Sequence, residues 1–305
     1  MEVPTTALTT HQLFISRALP HFAADSRLVG VAAAGSWAEN SMDEFSDLDL
    51  IIAVEPESFE QVMSERQSIA ASLGELLASF TGEHVGEPRV LICLYNSPLL
   101  HVDLKFLSIT DVATRVDEPV VLWERDDRLS QAYAASTGTY PLPNEQWIED
   151  RFWIWIHYGT GKIARGELFE ALDFISYLRS TVLGPLGLLQ AGCKPSGVRK
   201  IEQLTPNLAE ALKGTVASHD RESCYLALER CIEIYRSFRS ATVIQHEAAE
   251  EAAVEYLRTD ACTSSLRFSL TLINTQSLRS YDGYDFDCTG CRTHYEVISV
   301  QQWLS

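Results

Sequence analysis

Four residues within the first fifty carry types and spacing that can do chemistry: Gly35-Ser36 and, eleven positions beyond Ser36, Asp47-x-Asp49. They stand in VAAAGSWAENSMDEFSDLDLIIAV, where an apolar run (Leu28 to Ala34) ends at Gly-Ser and a second (Leu48 to Val54) opens among the aspartates. Residues two apart on a strand share a face, so Asp47 and Asp49 project side by side. Two carboxylates on one rigid edge suit Mg²⁺, which takes oxygen ligands and usually shares them with substrate phosphates. A Gly-Ser turn between strand and helix points free backbone N–H groups at an anion. Together these residues describe a site for a nucleoside triphosphate and one or two metals, with Gly35 and Ser36 on the phosphates.

A third acid stands in a later apolar segment, Leu99 to Leu107. Its alternation puts Val102, Leu104 and Phe106 on one face and His101, Asp103 and Lys105 on the other. An aspartate between bulky apolar neighbours is costly to bury unpaired, and a metal or a lysine would offset that cost. The alternative is an aspartate on the wet face of an edge strand. Lys105 either neutralises triphosphate charge or simply pairs with Asp103.

Gly35-Ser36 followed by Asp47-x-Asp49 in a hydrophobic strand resembles the DNA-polymerase-β-type nucleotidyltransferase superfamily. Within it the chain is most similar to the antibiotic nucleotidyltransferases that act on aminoglycosides and lincosamides. The signature covers roughly the first third of the chain. The resemblance implies Mg²⁺ held by Asp47 and Asp49, with ATP by family habit, or another nucleoside triphosphate, as co-substrate. It makes Asp103 either the third metal ligand or the general base for an acceptor hydroxyl. It implies an α+β fold: a small mixed sheet with flanking helices, then an α-helical bundle.

The elements that must hold these residues read as follows. A leading helix spans 8–24, strands span 28–34 and 48–54, and Pro56 opens a helix running to about residue 79. Gly82 to Pro88 is a loop. Arg89 to Tyr95 and Leu99 to Leu107 are strands joined by Asn96-Ser97-Pro98, and Val120 to Trp123 is one more. A boundary near Ser136 to Pro143 ends a first domain, residues 1–140. Residues 141–259 read as a bundle: a helix capped by Asn144, a second from Glu167 to Leu189 that Gly184-Pro185 should end or kink, a short third from Thr205-Pro206 to Gly214, a fourth from Ser218 and a fifth over Ile244 to Leu257. Residues 260–305 lose helical periodicity and read as an extension of unassigned role.

The bundle carries secondary candidates. Trp147, Trp153, Trp155, His157 and Tyr158 either stack on a base or form the bundle core. Lys162 and Arg165 share a helix face. Relatives supply a cation to the triphosphate from such a helix, which makes Lys162 the candidate; a solvated pair is the alternative. Glu167, Glu170 and Asp173 recur at three-residue spacing, ready to grip amino groups of a cationic acceptor or to supply a base, or else placed there by the helix dipole. Cys288, Cys291 and His294 are zinc-like in spacing but lack a fourth ligand nearby, and Cys262 could complete the set only by long-range folding.

The 305 residues carry a formal net charge of −18. Such a surface repels nucleic acid and acidic membranes and tolerates a cationic small acceptor. No run of 18 apolar residues occurs, so no membrane-spanning helix is expected. The N-terminus lacks a basic region followed by an apolar core, and the seven cysteines suggest no disulfide framework, which together predict a cytoplasmic protein. The predicted activity is transfer of a nucleoside monophosphate to a hydroxyl of a small molecule, in a protein compatible with a homodimer. The alternatives are an antitoxin-like or regulatory nucleotidyltransferase acting on a protein, and a nucleotide-binding sensor without turnover.

Overall fold

The computed structural model describes residues 3–276, with side chains to Ala261. The chain divides into two compact units, one up to Pro141 and one from Leu142.

The first unit is a six-stranded mixed sheet with helices on both faces. In chain order it comprises α1 (Thr9–Ala24), β1 (Leu28–Ala33), α2 (Gly35–Ala38), β2 (Leu48–Val54), α3 (Phe59–Ser72), β3 (Leu76–Gly82), β4 (Glu87–Tyr95), β5 (Leu100–Ser108), β6 (Val120–Glu124) and α4 (Arg128–Ala134). The strand order is β3-β4-β5-β2-β1-β6, and β2 with β5 is the parallel pair. Alternation decides which side chains meet the core. Leu48, Leu50 and Ile52 of β2 and Val102, Leu104 and Phe106 of β5 are buried in one cluster with Phe14 and Phe22 of α1. Truncating a phenylalanine such as Phe106 there should cost about 3–5 kcal/mol. The Tyr95 hydroxyl donates to the Ala70 carbonyl (2.8 Å), tying β4 to α3. On the opposite face α4 packs Leu129 and Tyr133 on Val29, Ala32, Ala53 and Leu107.

The helix predicted from Pro56 to about residue 79 is shorter. Pro56–Ser58 forms a 3₁₀ turn, α3 stops at Ser72, and Leu76–Gly82 forms the edge strand β3. Both faces of β3 are largely solvated, so it lacks the alternation that would reveal a strand, and Gly74 is the breaker that separates it from α3.

The second unit is a helical bundle: α5 (Glu145–Ala164), α6 (Leu168–Leu178), α7 (Gly184–Gln190), α8 (Ile201–Leu204), α9 (Pro206–Lys213), α10 (Arg221–Phe238) and α11 (Glu247–Gln276). Asn144 caps α5 as expected, its Oδ1 accepting from the Trp147 N–H at 2.9 Å, a contact worth about 1 kcal/mol. Gly184-Pro185 does not end the second helix. A π-turn over Arg179–Leu183 precedes them, and Pro185 occupies the first turn of α7, where its missing N–H is harmless. Phe152, Trp153 and Ile156 of α5 and Cys224, Leu228, Cys231 and Tyr235 of α10 share the core. Helix α11 runs on to Gln276, past residue 260. Cys288, Cys291 and His294 lie outside the described residues. No described helix is long and apolar enough to cross a membrane.

Candidate active site

Asp49 and Asp103 are direct partners across the parallel β2–β5 pair. Both occupy positions whose neighbours along the strand are buried, so both point to the sheet face opposite the α1–α3 core. Asp47 stands immediately before β2, close enough for its charge to act on Asp103. Burial raises the Asp103 carboxyl above the usual carboxylate range; His101 opposes that shift and Asp47 adds to it. His101 Nε2 lies 2.8 Å from Asp103 Oδ1. The strand pattern put His101 on this face but offered no role for it.

Gly35 shapes the other side of the group. Its φ of +55° is a left-handed conformation, and a Cβ there would stand 2.1 Å from Asp49 Oδ2. Only glycine lets the turn lie against the carboxylate. The Ala34 N–H donates to the Asp49 carbonyl (2.9 Å), so the turn is tied to β2 beside the acid. The Ser36 Oγ is buried and meets no hydrogen-bond partner among the described residues, which is costly unless a ligand supplies one.

The connector from α2 to Asp47 is held from α1 and the segment before it, a feature no local motif announces. His11, buried, donates from Nε2 to the Ser46 carbonyl (3.0 Å). The Asn40 Oδ1 accepts from the Thr5 and Thr6 hydroxyls at 3.2 and 3.3 Å. The Met42 N–H donates to the Thr6 Oγ1 at 3.1 Å. The residues next to Asp47 are thereby fixed by side chains some 35 positions earlier, since |i−j| is 35 for His11 and Ser46.

Among the described residues no three His, Cys, Asp or Glu side chains form a ready-made metal cage. Mg²⁺ rarely asks for one, because it keeps waters and completes its shell with substrate phosphates. The donor set suits it: oxygen ligands only, one carboxyl pushed up by burial and by a second acid, and an orphaned hydroxyl at the phosphate turn. Lys105 does not pair with Asp103. Its Nζ lies 2.9 Å from Glu87, which also holds Arg89 at 2.7 Å.

In the second unit Lys162, Glu167 and Glu170 are brought together. Lys162 Nζ lies 2.6 Å from Glu167 and 2.8 Å from Glu170. Arg165 takes the other Glu167 oxygen at 2.6 Å, and the Tyr158 hydroxyl donates to Glu170. Lys162, then Arg165, hold the Glu167 carboxyl at about 2, and Lys162 also lowers Glu170. Asp173 is exposed one turn on and, among the described residues, joins no ion pair. The aromatic cluster is split: Trp153 is buried, while His157 and Tyr158 face solvent.

No protein-family model and no curated protein matches the chain. Solved structures to which it is similar include an aminoglycoside 6-adenyltransferase from Bacillus subtilis, at 16 % identity over 84 % of this chain and 99 % of that one, with a TM-score of 0.38. A nucleotidyltransferase-like protein from Exiguobacterium sibiricum is 16 % identical over 73 % of this chain and 74 % of its own, with a TM-score of 0.35. A spectinomycin adenyltransferase from Enterococcus faecialis is 13 % identical over 83 % of this chain and 99 % of its own, with a TM-score of 0.26.

Proposed function

We propose that the chain is a Mg²⁺-dependent nucleotidyltransferase that moves a nucleoside monophosphate, AMP from ATP by resemblance, to a hydroxyl of a small molecule of the antibiotic type. One observation carries this reading: Asp49 and Asp103 are register partners across two parallel strands, with Asp47 beside them and a glycine turn that no other residue fits against Asp49. Like charges so close are tolerated where a cation is to be held.

Asp47, Asp49 and Asp103 are the residues that would hold the metal, which when bound neutralises the triphosphate and stabilises the attacking and leaving oxygens. The Gly35-Ser36 turn binds the terminal phosphates through backbone N–H groups and the Ser36 hydroxyl. The acceptor oxygen attacks the α-phosphorus in line, the bond to the bridging oxygen breaks, and pyrophosphate leaves. The hydroxyl proton goes to a carboxylate. Glu170 is not free for that role, because Lys162 and the Tyr158 hydroxyl already engage it. Lys162 serves the triphosphate only by leaving Glu167 and Glu170. Glu167 and Glu170 reach an acceptor only as members of that ion-pair cluster, and Asp173 is the acid that remains open to one.

Pyrophosphate release tests the proposal, with Mg²⁺, each of the four nucleoside triphosphates and a panel of aminoglycosides and lincosamides. Release that depends on one acceptor class and vanishes in Asp49→Asn supports it. Release unchanged in Asp49→Asn refutes it. Triphosphate binding without release by any drug turns the search toward a protein acceptor.

A further inference from the structure

We propose that residues 5–11 form a strap that sets the affinity of the acid group for its divalent cation, with His11 as the positioning residue that acts on Asp47 through the Ser46 carbonyl. The inference rests on the nucleotidyl-transfer reading and adds to it the residues that hold the cation's ligands in place.

Helix α1 buries His11, Phe14, Ile15, Ala18 and Phe22. Their spacing is that of one core-facing stripe, and four of its five members are apolar. His11 departs from the pattern at 2 % exposure. Its Nε2 donates to the Ser46 carbonyl (3.0 Å), and its Nδ1 meets no partner among the described residues. A buried polar atom without a partner costs about 1–3 kcal/mol, so a leucine at this position would suit the core better. What the imidazole adds is the bond to Ser46, the residue immediately before Asp47. A core position that gives up stability for one directed contact marks a functional constraint.

That contact places a turn which is already closed on itself. The Ser46 N–H donates to the Asp43 carbonyl at 3.2 Å. The Phe45 N–H and the Ser46 hydroxyl donate to Asp43 Oδ1 at 2.9 and 3.0 Å, and the Asp43 N–H donates to Ser46 Oγ at 2.9 Å. A turn fastened by its own side chains moves as a unit, so Asp47 goes where residues 43–46 are held. His11 holds the last of them. Ahead of the turn, the Thr6 hydroxyl accepts from the Met42 N–H and donates to Asn40 Oδ1, while the Met42 side chain is buried in the α1 core. Asn40 has a φ of +52°, a left-handed conformation that asparagine tolerates and that needs local contacts to hold it. The Ser41 N–H donates to the Ser36 carbonyl at 3.0 Å. One short segment thus reaches the cation side of the site through His11 and Ser46, and the phosphate side through Thr6 and Asn40. By linkage, a strap that favours cation binding is itself tightened by it.

The test is calorimetric titration of Mn²⁺ into the full chain with a non-hydrolysable ATP analogue, in wild type, His11→Leu and His11→Gln. His11→Leu removes the donor, and Mn²⁺ affinity should fall roughly tenfold in the folded protein. A role confined to the core would move the denaturant midpoint and leave that affinity alone, a result that overturns the inference. His11→Gln, whose Nε2 can stand where the imidazole's stands, should recover most of the affinity; a glutamine no better than leucine also overturns it. Should leucine prevent folding, Thr6→Val decides: affinity roughly threefold lower supports the strap, and unchanged affinity overturns it. Amide exchange of Met42 in wild type reads the reciprocal effect. Slower exchange with Mn²⁺ and the analogue bound supports the strap, and unchanged exchange refutes it. Failure of the parent reading looks different: wild type itself then binds no Mn²⁺ with the analogue, and the strap inference falls with it.

Discussion

Asp103 and Glu149 are both acids set among apolar neighbours, one in each unit, and they are treated in opposite ways. Glu149 is 1 % exposed and fully provided for. Its oxygens accept from Tyr235 Oη (2.5 Å), Trp153 Nε1 (3.1 Å) and the His246 N–H (3.1 Å), with Arg239 at 3.4 Å. Burial alone would raise its carboxyl, but these donors outweigh it and the shift is downward. Asp103 takes one bond from His101 and faces Asp47, and its carboxyl moves up. A buried acid with its full set of donors fastens helices together. A half-buried acid beside other acids is held ready for a cation. Glu149 is the more deeply buried of the two, its side chain enclosed while Asp103 keeps 27 % of its own exposed, yet its carboxyl is the one that moves down, because the number and sign of the partners set the direction.

The comparison breaks most directly by removing charge from each side. Asp49→Asn should cut turnover about 1,000-fold or more while leaving the melting temperature unchanged or higher, because a repulsive charge is gone. Steady-state rates and a thermal melt on the same sample check both halves. Glu149→Leu should do the reverse: four donors lose their acceptor at a cost of about 3–5 kcal/mol, read as a lower denaturant midpoint with unchanged nucleotide affinity below the transition. Loss of nucleotide binding in folded Glu149→Leu would contradict the division.

Smaller changes sharpen it. Gly35→Ala forces a Cβ onto the Asp49 carboxylate from a left-handed backbone, and turnover should fall roughly 100-fold with about 1–2 kcal/mol of stability. His101→Leu removes the donor to Asp103; turnover should fall about tenfold, and His101→Gln, which keeps a donor in the same place, should recover most of it. The smallest effect is on stability against pH. Arg89, then Lys105, hold the Glu87 carboxyl at about 2 against an ordinary 4.5. A lowered carboxyl contributes stability that is complete above about pH 4.5 and is lost as pH falls toward 2. Glu87→Gln should flatten that part of a melting-temperature profile.

The sheet and the acids were legible because each relevant strand buries one face, so period-two alternation exposes both the strand and the residue that departs from it. Asp103 is visible for that reason. Strand β3 is not, because neither of its faces is reliably buried. The pairing of Lys162 with Glu167 and Glu170 was hidden by the helix junction at Gly166, across which helical spacing no longer tells which side chains meet. His11 and Glu149 act through partners 35 and 86 positions away, such as Ser46 and Tyr235, and no local pattern encodes such contacts. Motifs reveal the groups that do chemistry, whereas the groups that hold them are tertiary.

The central claim is that Asp47, Asp49 and Asp103 form a site for a divalent cation and a triphosphate. Its most direct test is calorimetric titration of Mn²⁺ into the protein with a non-hydrolysable ATP analogue, in wild type and Asp49→Asn. The account predicts saturable binding in wild type and at least a tenfold loss of affinity in the variant. Equal binding in both, or none in folded wild type, would contradict it.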